Sequence, residues 1–219
     1  MTSPLNRYRI LIVDDHPVVR QGLAAEIGRH ADLEVCGSAA CVADALKLVE
    51  GQTPDAAIVD LSLEGEDGLE LIDYIKSRCP ATRIIAYSAH DEETYAGRVL
   101  RAGAHGYLCK REPMPKIVDA IRRVLEGEVY LTTHAATSLL QRAAVGKPLD
   151  EDPVAVLSNR ELQVFEMIGQ GMTTVQIGEK LGVSPKTIES HRKGIKTKLN
   201  LASSAQLSRR AFQWVGENS

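Results

Sequence analysis

The chain has 219 residues, of which 44% are apolar, 25% charged and only 4% aromatic, with a formal net charge of −3. This is a globular composition with an aliphatic core, and it excludes disordered, collagen-like and disulfide-scaffold classes. The charge is uneven: residues 1–153 hold 17 Lys and Arg against 24 Asp and Glu, whereas residues 154–219 hold 9 against 5.

An acidic first part and a basic last part predict two functions on one chain, the second directed at nucleic acid. No apolar run is long enough to span a bilayer, and the polar start Met1–Arg9 lacks a signal peptide's apolar stretch, so no membrane partner is expected. Cys36, Cys41, Cys79 and Cys109 show no metal spacing. They predict reduced thiols and a cytoplasmic protein.

Five short apolar runs follow in order: Ile10–Val13, Leu33–Val35, Ala56–Val59, Ile84–Tyr87 and Tyr107–Cys109. Between them lie stripes at helical spacing, such as Val19, Leu23 and Ile27, or Ile117, Ile121 and Leu125. Short unalternated strands alternating with helices predict a parallel sheet covered on both faces. Ligands of such sheets sit beyond the carboxyl ends of the strands. Asp14 and Asp15 follow the first run, Asp60 the third, Ser88 the fourth and Lys110 the fifth. Three carboxylates, a hydroxyl and an ammonium are therefore expected on one rim. Clustered carboxylates call for a hard cation such as Mg²⁺, and a carboxylate can attack phosphorus to form an aspartyl phosphate. Mg²⁺, Lys110 and Ser88 would then neutralise the transferred group. No P-loop signature is present. His90, two residues past Ser88, has two readings: a residue that touches the site, or, the preferred one, an exposed loop histidine.

From Gly127 to Pro153 the pattern loosens into a linker, with one helix expected at Thr132–Arg142 and an exposed, acidic, proline-containing connector after it. Four helices are predicted beyond it. Ser158-Asn159-Arg160-Glu161 is a capping box opening the first. Thr173 or Thr174 caps the second. Ser184 caps the third, with Pro185 at its first position. A short helix, a turn and a basic helix are the parts of a helix-turn-helix. On the third helix Ile188, Ile195 and Leu199 form the apolar stripe, and Lys186, Glu189, Ser190, Lys193 and Thr197 take the opposite, groove-facing side. Lys193 is placed to donate to guanine and Glu189 to accept from cytosine, while Arg192, Lys196 and Lys198 flank them towards phosphates. Thr187 completes the DNA-contacting set. The fourth helix, about Ser203–Val215, offers Leu207, Ala211 and Phe212 as a contact between paired copies, the alternative being that they pack only within their own domain.

The segments Val13-Asp14-Asp15-His16-Pro17, Val59-Asp60-Leu61, Tyr87-Ser88-Ala89 and Tyr107-Leu108-Cys109-Lys110 resemble the receiver domain of two-component response regulators. Leu157-Ser158-Asn159-Arg160-Glu161, Gly171, Ile177, Leu181, Ser184, Thr187-Ile188, His191, Ile195 and Lys198-Leu199 look like the LuxR-type DNA-binding domain. Together they resemble the NarL/FixJ class. The resemblance implies a flavodoxin-like, doubly wound receiver over residues 1–127, a linker over 128–153, and an all-α four-helix helix-turn-helix domain over 154–219. It implies Asp60 as phosphoacceptor, Mg²⁺ on Asp14, Asp15, Asp60 and the Ser62 carbonyl, Ser88 and Lys110 on the phosphoryl group, and Ser88 with Tyr107 as the switch. A sensor histidine kinase, promoter DNA and a second copy of the chain are the implied partners. No enzyme activity is implied beyond the receiver's own phosphoryl transfer and autodephosphorylation.

Three departures stand out. Arg111 replaces the usual proline after Lys110, Leu63-Glu64-Gly65 replaces Met-Pro-Gly, and Gly178 replaces alanine, weakening its helix by roughly 1 kcal/mol. The acids Glu64, Glu66 and Asp67 are expected to bear on the metal site. Two rival readings are a phosphorylation-independent regulator with a vestigial receiver and an aspartyl-phosphate phosphohydrolase. The first is opposed by the complete set of acids with Lys110. The second is opposed by the adjacent Asp14-Asp15, where a spaced DxD is normal.

Overall fold

A computed structural model describes residues 7–64, 66–144, 154 and 156–217. The chain divides into two compact units at Leu139/Leu140.

The first unit holds β1 (Tyr8–Val13), α1 (Pro17–Ile27), β2 (Leu33–Ala39), α2 (Val42–Gln52), β3 (Ala56–Val59), α3 (Gly68–Arg78), β4 (Arg83–Ser88), α4 (Glu92–Arg101), β5 (Gly106–Cys109) and α5 (Lys116–Leu125). The strands form one sheet in the order β2-β1-β3-β4-β5, and every pairing is parallel. This is the doubly wound, flavodoxin-like order. Pleat alternation explains the two covered faces: Ile10, Ile12, Ile58 and Ile85 pack with Leu23 and Ile27 of α1 and Ile117, Ile121 and Val124 of α5. Leu11 points the other way, towards Leu48 of α2, with Gly37 close against both: a Cβ there would meet the two leucines at 3.1–3.2 Å, and their side chains would have to give by a few tenths of an ångström.

Packing in this unit continues past α5. Gly106 bridges Tyr130 in parallel, the Tyr107 N–H donates to the Tyr130 carbonyl at 2.9 Å, and Tyr130 is buried. Thr132 N–H donates to the buried Glu92 carboxylate at 2.8 Å, and α6 (Thr133–Ala144) follows. The connector expected after it, at residues 145–153, lies outside the described residues.

His105, just before β5, accepts the Ile84 N–H on Nδ1 at 3.1 Å. Burial, followed by nearby Lys76 and Arg83, lowers its pKa to about 4. An unfolded chain takes up this proton from pH 6.5 downward, while the folded chain does so only near 4. Acidification through that window therefore weakens the fold. Urea unfolding of wild type and His105→Gln is expected to show the wild type losing ground as pH falls across it; parallel profiles would contradict the assignment.

The second unit holds α7 (Asn159–Gly169), α8 (Thr174–Lys180), α9 (Pro185–Lys198) and α10 (Ser204–Glu217). Ser158 with Glu161, and Thr173 with Gln176, form capping boxes, and Ser184 accepts the Thr187 N–H. Thr173, not Thr174, is thus the cap of α8. The core joins Leu162 and Phe165 to Ile177, Ile188, Ile195, Leu207, Ala211 and Trp214, with Phe165 edge-on to Trp214 at 6.0 Å. Leu207 and Ala211 are consumed by this core, so of the three α10 residues read as an intermolecular contact only Phe212, 72% exposed, is available. Gly178 has a tertiary reason: a Cβ there would lie 2.8 Å from the Val183 carbonyl, which offsets alanine's helix propensity. Among the described residues, no helix is long and apolar enough to cross a membrane.

Candidate functional site

The sheet brings the expected rim residues together because the backbone ladder runs on past the strand ends. Asp14 N–H donates to the Ala39 carbonyl, Asp60 N–H to the Val13 carbonyl and Lys110 N–H to the Ser88 carbonyl, at 2.7–3.1 Å. Each residue thus leaves its strand in register with its neighbour. Lys110 Nζ then sits 2.6 Å from Asp14 Oδ2 and 2.7 Å from Asp60 Oδ2. The two carboxylates are 1% and 2% exposed, and Ser88 is fully buried. Burial pushes the Asp60 carboxyl up, opposed by Lys110 and by the Ser62 N–H, which donates to Asp60 Oδ1 at 3.0 Å. Burial of the Lys110 amine works against its charge, but Asp60 and Asp14 outweigh it and raise its pKa.

Carboxylate oxygens of Asp14, Asp15 and Asp60 and a ring nitrogen of His16 lie within 4.8 Å of one another. Asp14 Oδ2 is paired with Lys110, and Asp15 Oδ1 lies 2.5 Å from His16 Nδ1. Hard carboxylate oxygens crowded together fit a small divalent cation.

The departures from the expected pattern are resolved locally. After Lys110, the Glu112 N–H donates to the Cys109 carbonyl at 2.9 Å and closes a turn around Arg111, with every peptide bond among the described residues trans. The Arg111 side chain turns back to Cys109 Sγ at 3.3 Å. Glu66 and Asp67 each make a hydrogen bond at a helix start. Glu66 accepts the Val42 N–H at the start of α2, and Asp67 caps α3. Gly65 lies outside the described residues.

Two residues of the site carried little sequence signal. His90 is no free loop histidine: its Nε2 lies 2.8 Å from Ser62 Oγ and its ring stacks on Tyr95 at 4.6 Å. Its backbone N–H donates to Ser88 Oγ, and its carbonyl accepts the hydroxyl of the buried Tyr107. Burial pushes the Tyr107 hydroxyl up, so it stays a neutral donor. Gly68 opens α3 directly against the Asp60 backbone, where a Cβ would lie 2.1 Å from the Asp60 carbonyl. Its only signal was the Asp-Gly pair at a loop-to-helix boundary.

In the second unit, α9 exposes Lys186, Thr187, Glu189, Ser190, Lys193 and Thr197 and buries Ile188 and Ile195. Ser190 and Thr197 hydroxyls donate to their own helix carbonyls four residues back. Arg192 is not a free flank, since its side chain is only 14% exposed and its Nε lies 3.5 Å from Glu189 Oε1. Lys196 is half-buried. Lys198, expected beside the phosphates, is instead paired with Glu161 at 2.7 Å, tying the end of α9 to the start of α7. Burial works against the Glu161 charge, but Lys198 and the Ser158 N–H hold its pKa below the usual range. His191 is partly buried, and burial lowers its pKa.

Comparison with known proteins gives the two units their kinship. Residues 10–122 match the response regulator receiver domain, and residues 155–211 match the bacterial regulatory proteins of the luxR family. The chain is a LuxR-family response regulator. The oxygen regulatory protein NreC of Staphylococcus epidermidis is 38% identical over 205 residues, covering 91% of this chain and 94% of the relative. NreC of Staphylococcus haemolyticus is 39% identical over 204 residues, with the same shares. Among solved structures, a LuxR-family two-component response regulator from Aurantimonas sp. SI85-9A1 is 32% identical with a TM-score of 0.59, covering 63% of this chain and 99% of that one. RcsB from Salmonella enterica serovar Typhimurium, bound to promoter rprA with the phosphomimetic BeF3-, is 25% identical with a TM-score of 0.60, covering 93% and 98%. This response regulator therefore couples a receiver to a DNA-binding domain and regulates transcription in response to phosphorylation. Neither rival reading is favoured by these kinships.

Proposed function

We propose that a phosphohistidine of a sensor histidine kinase donates its phosphoryl group to Asp60, breaking the P–N bond and forming an aspartyl phosphate. The observation that carries this is Asp60 Oδ2 at 2.7 Å from Lys110 Nζ, buried beside Asp14 and Asp15. Asp14, Asp15, Asp60 and the Ser62 carbonyl would hold Mg²⁺, whose charge offsets that of the incoming phosphoryl oxygens. Lys110 meets the same oxygens, and Ser88 supplies a hydroxyl. Once Ser88 Oγ turns to the phosphoryl group, its bond from the His90 N–H is lost, and the Tyr107–His90 contact is free to change with it. That rearrangement runs through α4 and β5, and we infer that it brings the DNA-binding domain of one copy together with another's. The functional division is a receiver at 1–127, a linker at 128–153 and a helix-turn-helix domain at 154–219, working in the cytoplasm.

In the second domain, Lys186, Thr187, Glu189, Ser190, Lys193 and Thr197 would enter the major groove, with Arg192 and Lys196 beside it. Two copies on half-sites about one helical turn apart would supply the affinity, with Phe212 as the exposed apolar anchor between them. The test is retention of duplexes from a random-sequence pool by the full chain, with and without acetyl phosphate and Mg²⁺. Tighter binding and two copies per site with the phosphodonor are expected. Equal binding in both conditions would favour the vestigial-receiver reading.

A further inference from the structure

The groove-facing side of α9 is not held by α9 alone. Thr174, the first residue of α8, donates its hydroxyl to Glu189 Oε1 at 2.8 Å. Arg192 brings its Nε to 3.5 Å from the same oxygen, and that Nε is buried without a hydrogen bond. One carboxylate oxygen is therefore gripped from the neighbouring helix and faced by a guanidinium. The Glu189 side chain is still 61% exposed. Its Oε2 is engaged by no other group among the described residues.

This hydrogen bond has no obvious part in building α8. Thr173 is the cap, in a capping box with Gln176. The Thr174 hydroxyl is spent on Glu189. It also differs from the hydroxyls of Ser190 and Thr197, which turn back onto their own helix. An ungripped glutamate on an exposed helix face samples several rotamers, and ordering it on binding costs affinity. A carboxylate fixed beforehand accepts from a base amino group and repels base carbonyls and ring nitrogens from one direction only.

We propose that Thr174 is a positioning residue for base selection, holding Glu189 in the orientation that reads one base pair. The inference rests on Glu189 being a base-contacting residue, as proposed above. It places part of the sequence preference on a residue of α8 that need not touch the base itself.

The experiment uses the full chain and a duplex selected by the wild type from a random-sequence library. Glu189→Ala identifies the base pair whose identity is no longer selected, and three duplexes substituted there serve as probes. Thr174→Val, which keeps shape and removes the hydroxyl, is expected to relax discrimination at that position by about 3- to 10-fold. Thr174→Ser should restore it. The salt dependence and the affinity for unrelated DNA should stay as in the wild type, and Thr174→Val added to Glu189→Ala should change nothing further. Equal weakening by Thr174→Val on all duplexes would mark a merely structural residue and overturn the proposal. Wild-type discrimination in Thr174→Val, with Glu189→Ala altered, would overturn it and leave the Glu189 reading intact. Unaltered discrimination in Glu189→Ala would overturn both.

Discussion

Replacing Asp60 with asparagine is expected to abolish phosphorylation of this response regulator outright. The side chain ends β3 and presents one oxygen to Lys110 at 2.7 Å and the other to the Ser62 N–H at 3.0 Å. An amide has the same shape but lacks the nucleophilic carboxylate pair, so the chemistry goes while the packing stays. Lys110 keeps Asp14 as a partner at 2.6 Å, so no buried ammonium is orphaned and the variant should fold. Wild-type protein incubated with Mg²⁺ and acetyl phosphate should gain a single phosphoryl group, labile in acid and in base as an acyl phosphate is. Intact-mass measurement should find none on Asp60→Asn, and none on wild type after chelation of the metal. Persistent labelling of Asp60→Asn would place the acceptor elsewhere.

On the DNA side the largest effect is expected from Lys193→Ala. Lys193 is exposed on α9, one turn beyond Glu189 and on its groove-facing side, opposite the buried Ile188 and Ile195. A lysine at a base edge is expected to contribute about 1–3 kcal/mol to discrimination, or roughly 5- to 150-fold in affinity for the preferred site. Binding to unrelated DNA should change far less, and choice should relax at one base position. Lys196, half-buried at the flank, is expected to act on phosphates. Lys196→Ala should weaken all duplexes about equally and lower the salt slope by roughly one unit. Titrations over matched and substituted sites at several salt concentrations separate the two behaviours. Equal losses from both variants on every duplex would mean that α9 docks with a different rotation.

The rim residues were legible because two local properties coincide. Buried parallel strands read as plain apolar runs, and chemistry in such sheets follows their carboxyl ends. Ile10–Val13 followed by Asp14 and Asp15, and Ala56–Val59 followed by Asp60, therefore announced both the sheet and its charged edge. The caps at Ser158 and Ser184 were legible for the same reason, since a cap bonds to its own helix a few residues on. Strand β2 was only half visible. It runs to Ala39, but as an edge strand it is partly exposed past Leu33, and Gly37 interrupts the apolar run in a residue type that weakens strands.

What only the tertiary structure decided concerns residues whose role depends on a neighbouring element. Position alone put His90 two residues past Ser88, while its stacking on Tyr95 and its contact with Ser62 depend on where α4 and the β3–α3 loop come to rest. Helical spacing set Arg192 beside the groove face, and the fold leaves its side chain only 14% exposed, with its Nε facing Glu189. Leu207 and Ala211 are apolar on α10 whether they meet their own core or a second copy, and packing against α7 and α9 settles the matter. Periodicity is a property of one segment and survives in the sequence. A side chain's partner is a property of two segments, and the fold alone brings them together.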